Sequence, residues 1–236
     1  MTSSTRRFLQ AVLPALLAIL LATGCASLRP PAVPANPPAG RAAAQAATQA
    51  GFNAVYDGEL RIWFYSFKMI WYVAVPPGGT GLSVAVLSPV GVKIMQMNGT
   101  RDAHSCTVAL PAANRLKPYG EALWTGLLWS LTDDLADDEL KWTRHGDTVL
   151  GDARRGAIHA QYRALAANGM LVGKEVRENG RRLHDIRFAD ERHDADRSYP
   201  GRIQIECASP RCKLTLTLKS LRWSDGAAGA NDATGR

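Results

Sequence analysis

The stretch RIQIECASPRCKLTLTLKSLRW, Arg202 to Trp223, constrains the fold of this chain more than any other. Ile203, Ile205 and Cys207 recur at every second position, and so do Cys212, Leu214, Leu216 and Leu218. Period two means strands whose alternate side chains share a face. Folding the segment about Ala208 to Arg211 lays both apolar rows on one side of a hairpin and sets Cys207 opposite Cys212. A disulfide there would close a small loop and contribute about 2 kcal/mol by loop-entropy arguments. The alternative is a pair of reduced, buried thiols.

The same alternation returns along the chain. Leu60, Ile62 and Phe64 alternate with Arg61, Trp63 and Tyr65, Leu82, Val84 and Val86 with Ser83 and Ala85, and Ile158, Ala160 and Tyr162 with His159, Gln161 and Arg163. Asn179-Gly180 separates two strand-like runs in KEVRENGRRLHDI, and both residues tolerate the positive φ of a two-residue hairpin turn. Gly58 to Pro76 is apolar enough for a membrane span, but it holds Arg61 and Lys68 and is rich in aromatic and β-branched residues, so two strands explain it better. Between Tyr119 and Asp134 the period changes. Leu123, Leu127, Leu128, Leu131 and Leu135 recur at helical spacing with Trp124 and Trp129 among them, before the acidic turn DDLADDE. Core packing is the ordinary reason for such a stripe. The expected fold class is mainly β, an antiparallel sheet with one apolar face and a helix covering it. That arrangement encloses an apolar interior of the kind small barrels use for one elongated ligand, unless side chains fill it.

Ahead of the strands, Arg6 and Arg7 precede the apolar run Phe8 to Leu21, which ends in Ala22, Thr23 and Gly24, the layout of a secretory signal peptide over residues 1–24. About 14 apolar residues interrupted by Pro14 are too few for a spanning helix, which needs roughly 20. The four residues ATGC resemble a bacterial lipobox, whose cysteine is acylated after cleavage. Cys25 is then a lipid anchor carrying palmitate-type chains, each buried methylene contributing about 0.8 kcal/mol, and Ala26 after it favours the outer membrane, on its periplasmic side. Residues 25–50 form a tether; its part ASLRPPAVPANPPAG carries five prolines and reaches up to roughly 45 Å in a polyproline conformation. Residues 51–224 form the β-rich domain, and 225–236, DGAAGANDATGR, have nothing to bury.

The formal charge of +7 becomes +5 once Arg6 and Arg7 are removed. Export and the even spread of Lys and Arg exclude nucleic acid as a partner and favour an anionic membrane surface or lipid head group. With Cys25 acylated, Cys106, Cys207 and Cys212 remain, and an oxidising periplasm permits one disulfide. Structural zinc needs four ligands, and no second Cys or His pair has matching spacing, so no metal or other cofactor is expected. His184-Asp185 and His193-Asp194, in HDIRFADERHDAD, could bind a divalent metal or transfer protons, but His184 falls in the hairpin strand and the rest reads better as a charged, solvated connection ending at Tyr199-Pro200. No nucleophile elbow, His-Glu-x-x-His helix or phosphate loop is present, and no enzyme is expected.

The order of these elements, YDGELRIWF, then GLSVAVLSPVGVKIMQMNG, a helical insert, and YPGRIQIECASPRCKLTLTLKSLRW, resembles the LolA/LolB-type lipoprotein-localisation family over roughly Val55 to Trp223. The shared features are a Gly-x-Leu first strand, Leu82 to Gly91 as a strand ending in a Pro-x-Gly turn, and an Arg-Ile penultimate strand. The resemblance implies a half-open antiparallel β-barrel with helices as a lid, whose interior accepts the acyl chains of a lipoprotein. The family's receptor projects an apolar residue, usually leucine, after that turn; here SPVGV offers Val90 and Val92. The expected cavity lining is Ile62, Phe64, Val84, Val86, Leu128, Ile158, Tyr162, Ile203, Ile205, Leu214 and Leu216. Two functions compete: a non-enzymatic outer-membrane lipoprotein that binds acyl chains and helps lipoprotein or lipid localisation, and an interaction lipoprotein that docks an envelope or secretion assembly through a protein partner.

Overall fold

The computed structural model describes residues 49–132, 141–194 and 197–224. Cys25, the signal segment, most of the tether, the acidic turn with Leu135 and the C-terminal tail lie outside the described residues. Among the described residues twelve strands form one antiparallel sheet: β1 (Phe52–Ile62), β2 (Tyr65–Val75), β3 (Leu82–Leu87), β4 (Lys93–Gly99), β5 (His104–Val108), β6 (Lys141–His145), β7 (Thr148–Arg155), β8 (Ile158–Leu165), β9 (Leu171–Glu178), β10 (Arg181–Asp194), β11 (Arg197–Ala208) and β12 (Arg211–Trp223). A 3-10 turn, Pro111–Leu116, leads into helix α1, Lys117–Leu131. The spatial order is β5-β4-β3-β2-β1-β12-β11-β10-β9-β8-β7-β6, so the sheet stays open between β5 and β6. No helix among the described residues is long and apolar enough to cross a membrane.

Two meanders build this order. β1 to β5 run outward to one edge, β6 to β12 run back from the other, and β1 and β12 pair from Phe52↔Trp223 to Arg61↔Lys213. The expected alternation is observed: Phe52, Ala54, Tyr56, Gly58, Leu60 and Ile62 are buried along β1. Asn179 and Gly180 take φ of 49° and 80° at the tip of β9–β10, the left-handed region that Asn and Gly enter at low cost. Phe64 corrects the alternation argument. Ile62 pairs with Tyr65, which makes Trp63 and Phe64 the turn itself, and Phe64 is 98% exposed instead of lining an interior.

The chain between the two sheet edges carries α1, and the helix lies on the apolar face against β5, β10 and β11. Gly126 permits the contact, because a Cβ there would stand 2.7 Å from Ile205 Cγ2 and 3.3 Å from His184 Nδ1. Leu123, Trp124 and Leu127 are wholly buried, as are Val84, Val86, Ile203, Ile205, Leu214 and Leu216 on the sheet, and each such side chain stabilises the fold by about 1.5–3 kcal/mol. Cys207 and Cys212 face each other as expected, but both are free thiols. The disulfide expected there is not formed: the Cys207 thiol lies 3.6 Å from the Ala122 carbonyl of α1, and its hydrogen bond with Cys212, then burial, push its pKa up.

His184 also points at the helix, with Nε2 2.9 Å from Thr125 Oγ1 and Nδ1 buried without a partner among the described residues. Its neighbour Asp185 faces the other way and is held by Arg163 and by Arg187 at 3.1 Å. Gly173 leaves the room for Arg163 to cross β9.

Gly126→Ala forces α1 away from Ile205 and costs about 1–3 kcal/mol, read as a lower denaturation midpoint with an unchanged slope. Burial lowers the His184 pKa from 6.5 to about 4. The unfolded chain therefore takes up a proton that the folded one refuses, so this stability is complete above pH 6.5 and about 3 kcal/mol is lost as the pH falls through 4. A His184→Leu variant should lose that part of the acid sensitivity in pH-dependent denaturation curves.

Candidate functional site

The interior is not uniformly filled. Beyond the C-terminal end of α1, the apolar face retains a half-enclosed cavity of about 100 Å³. Its wall is built by Phe52 and Tyr56 of β1, Leu221 and Trp223 of β12, Tyr199 of β11, Phe188 of β10, Leu171 of β9 and Tyr162 of β8. Trp129, Leu131 and Thr132 at the end of α1 close one side. The aromatic rings brace one another: Trp223 stands edge-on to Phe52 at 6.1 Å and to Tyr199 at 5.8 Å. Burial raises the pKa of the Tyr56 phenol above its ordinary range.

Two β-bulges put the right side chains on this wall. Val55 pairs with Ser220 but Tyr56 with Leu218, so Lys219 is an extra residue in β12. Alternation continued from Leu214, Leu216 and Leu218 would turn Ser220 and Arg222 inward. The bulge instead turns Leu221 and Trp223 inward, while Lys219 reaches Asp57 at 2.9 Å on the outer face. In β9, Arg163 pairs with Gly173 and Ala164 with Leu171, which leaves Val172 as the extra residue and brings Leu171 to the wall. Bulges re-aim side chains next to binding sites in many sheets.

Two charged side chains line the cavity, Glu191 at its exposed side and Lys174 in its wall. Lys174 is 2% exposed; its Nζ donates to the Trp129 carbonyl at 3.1 Å and sits 4.6 Å and 5.0 Å from the ring centres of Tyr162 and Trp129. Ring faces attract a cation at this range, and its methylene stem covers apolar surface. The mouth is polar: Ser198 donates to Glu191, Trp223 Nε1 donates to Asp194 at 2.7 Å, and the Arg197 guanidinium lies 4.6 Å from the Trp223 ring centre.

Of the residues expected to line an interior, Tyr162 borders this cavity. Val84, Val86, Leu128, Ile203, Ile205, Leu214 and Leu216 lie in the packed core with α1, Ile62 is buried on β1, and Ile158 is half-buried against the same core. Sequence reasoning missed Lys174, although Lys174 and Val176 share one parity of β9 and pair with Tyr162 and Ala160. It missed Leu221 and Trp223 because a bulge leaves no mark in a single sequence. The two His-Asp pairs do not converge. His184 is buried beneath α1, while His193 is exposed at the far end of β10 opposite Ser198. Among the described residues no three His, Cys, Asp or Glu side chains gather to hold a metal ion.

No protein-family description and no curated sequence matches the chain. Solved structures do. A domain from Vibrio parahaemolyticus described as an outer membrane lipoprotein-sorting protein superposes with a TM-score of 0.54 at 12% identity, covering 79% of this chain and 90% of its own. The LolA superfamily protein NE2245 from Nitrosomonas europaea gives 0.54 at 13% identity, covering 78% and 93%. A DUF1329 family protein from Desulfovibrio piger gives 0.53 at 12% identity, covering 80% and 93%. With an open twelve-stranded antiparallel sheet and a helix on its apolar face, the chain has the half-open β-barrel fold of the LolA superfamily.

Proposed function

We propose that this chain is a non-enzymatic lipoprotein of the outer membrane, anchored through Cys25 on the periplasmic side, that takes an acyl chain into the cavity beyond α1 and assists lipoprotein or lipid localisation. The observation that carries this reading is the aromatic and aliphatic cavity itself, with one buried cation. An apolar wall favours a hydrocarbon chain through the area it removes from water, roughly 25 cal/mol per Å². Lys174, beside it, favours a carboxylate, phosphate or ester oxygen at the chain's polar end. The lipoprotein-sorting domain and the LolA superfamily protein with the same fold are the external support. Ligand pockets commonly measure about 300–1,000 Å³, so the cavity takes the end of a chain as it stands, and a longer segment displaces the last turn of α1.

The competing reading, an interaction lipoprotein that docks an envelope assembly, draws on the packing of α1 through the middle of the interior. It predicts one protein partner trapped by cross-linking in cells and no lipid.

The deciding experiment is to express residues 26–236 in a periplasm and analyse the purified protein for lipid by mass spectrometry. Co-purified lipid, together with displacement of an apolar fluorescent probe, supports the acyl-chain reading; neither lipid nor probe binding sinks it. Leu171→Trp, which fills the wall, should weaken probe binding at least tenfold while the thermal unfolding midpoint holds.

A further inference from the structure

The cavity lies at the end of the sheet where β1 begins and β12 ends. The opposite end carries the β1–β2, β3–β4, β7–β8, β9–β10 and β11–β12 tips, and at the first two of these the large exposed apolar side chains collect. Trp63 is 80% exposed, Phe64 98%, Tyr65 70% and Phe67 38% at the β1–β2 tip; Val90 and Val92 are 85% and 46% exposed on the adjacent β3–β4 tip. Tyr72, on the outer face of β2, is the remaining large exposed apolar residue among those described.

The β1–β2 tip is also a local exception to turn chemistry. Two-residue hairpin turns favour Gly or Asn where φ is positive, as Asn179 and Gly180 show in β9–β10. In β1–β2 a tryptophan holds such a position, with φ of 55°. A bulky residue there is strained, and at 80% exposure its ring gains little burial in return. Neither local geometry nor core packing accounts for the aromatic tip.

The charge around it indicates the partner. Arg61, Lys68 and Lys93 flank the two tips, and Arg211, Arg181 and Arg182 are exposed at the same end of β12 and β10. The carboxylates at that end are fewer: Glu59 is engaged by Arg61 at 2.7 Å and by Ser66, Glu206 by Lys213 at 3.3 Å, and Glu178 pairs across from Arg181. Aromatic rings with a polar edge partition to the boundary between lipid head groups and acyl chains, and Lys and Arg beside that boundary are drawn to anionic lipid. A second copy of this chain would instead bring the same cations face to face.

We propose that the Trp63–Phe64–Tyr65 tip is a membrane-docking element that inserts at the head-group boundary of an anionic lipid surface, with the surrounding Arg and Lys residues against the lipid phosphates. The inference is independent of the cavity's contents, which lie at the other end of the strands.

Trp63 supplies its own reporter, because Trp71, Trp124 and Trp129 are buried and Trp142 and Trp223 half-buried. The full chain is mixed with vesicles of phosphatidylcholine containing about one third phosphatidylglycerol, with brominated acyl chains that quench tryptophan at short range. Strong quenching is expected, falling at least threefold in Phe64→Ser/Tyr65→Ser, in Arg61→Gln/Lys68→Gln, and in vesicles of phosphatidylcholine alone. The N-terminal apolar segment is common to every arm. Equal quenching in the Phe64→Ser/Tyr65→Ser variant or in neutral vesicles overturns the proposal. A matching fluorescence shift without lipid as protein concentration rises also overturns it, assigning the tip to self-association. Trp63→Asn, which suits the turn, should unfold at the same or a higher temperature than the parent; a fall would make the tip a structural element and overturn the proposal too.

Discussion

The pairing of β1 with β12 is the contact on which the rest of the structure depends. Each meander is held by hairpins that close locally, whereas Phe52↔Trp223 joins residues from the two ends of the domain. Such a pairing requires closure of a long loop, whose entropic cost grows only slowly with length but is returned late in folding. Without it the two meanders would each expose an edge and neither would have an opposite wall. The seam also supplies one wall of the cavity, since Phe52, Tyr56, Leu221 and Trp223 are all seam residues.

The second organising feature is the route of α1. The chain leaves one sheet edge at β5 and re-enters at the other edge with β6, and the helix between them is laid on the apolar face. Connector and core filler are therefore the same element. Because α1 ends at Leu131, short of the end where β1 begins and β12 ends, it packs the middle and leaves that end hollow. A longer helix on the same line would occupy the space that Trp129, Lys174 and Trp223 now border. The cavity is thus a consequence of where the helix stops as much as of the strands beneath it.

The two ends of the strands have different chemistry. One end holds an aromatic-walled cavity with a cation buried among rings; the other carries exposed aromatic tips among exposed cations. The inward and outward faces of each strand are fixed by core burial, but the tips are free of that demand. Trp63 at a positive φ is tolerated there because the neighbouring pairs, Ile62↔Tyr65 and Arg61↔Ser66, hold the turn from both sides.

Period-two rows such as Ile203-Ile205-Cys207 and Leu214-Leu216-Leu218 fix strand identity, inward parity and the hairpin, because burial on one face demands alternation whatever the partner strand. Asn179-Gly180 fixes a turn for an equally local reason, and the Leu/Trp stripe fixes a helix. Locality is also the limit of that legibility. The free thiols at Cys207 and Cys212, the bulges at Lys219 and Val172, and the place where α1 meets the sheet depend on residues far away in the chain. So the inward rows were legible, yet which part of them is packed and which is hollow was not. Lys174 illustrates the division: its parity with Val176 is written in the sequence, but the Tyr162 and Trp129 rings that hold its charge are brought to it only by β8 and by the end of α1. Strands, parity and turns were determined by the sequence alone, since each is settled within a few residues; the cavity was decided by tertiary structure, since it is the space left where distant elements stop.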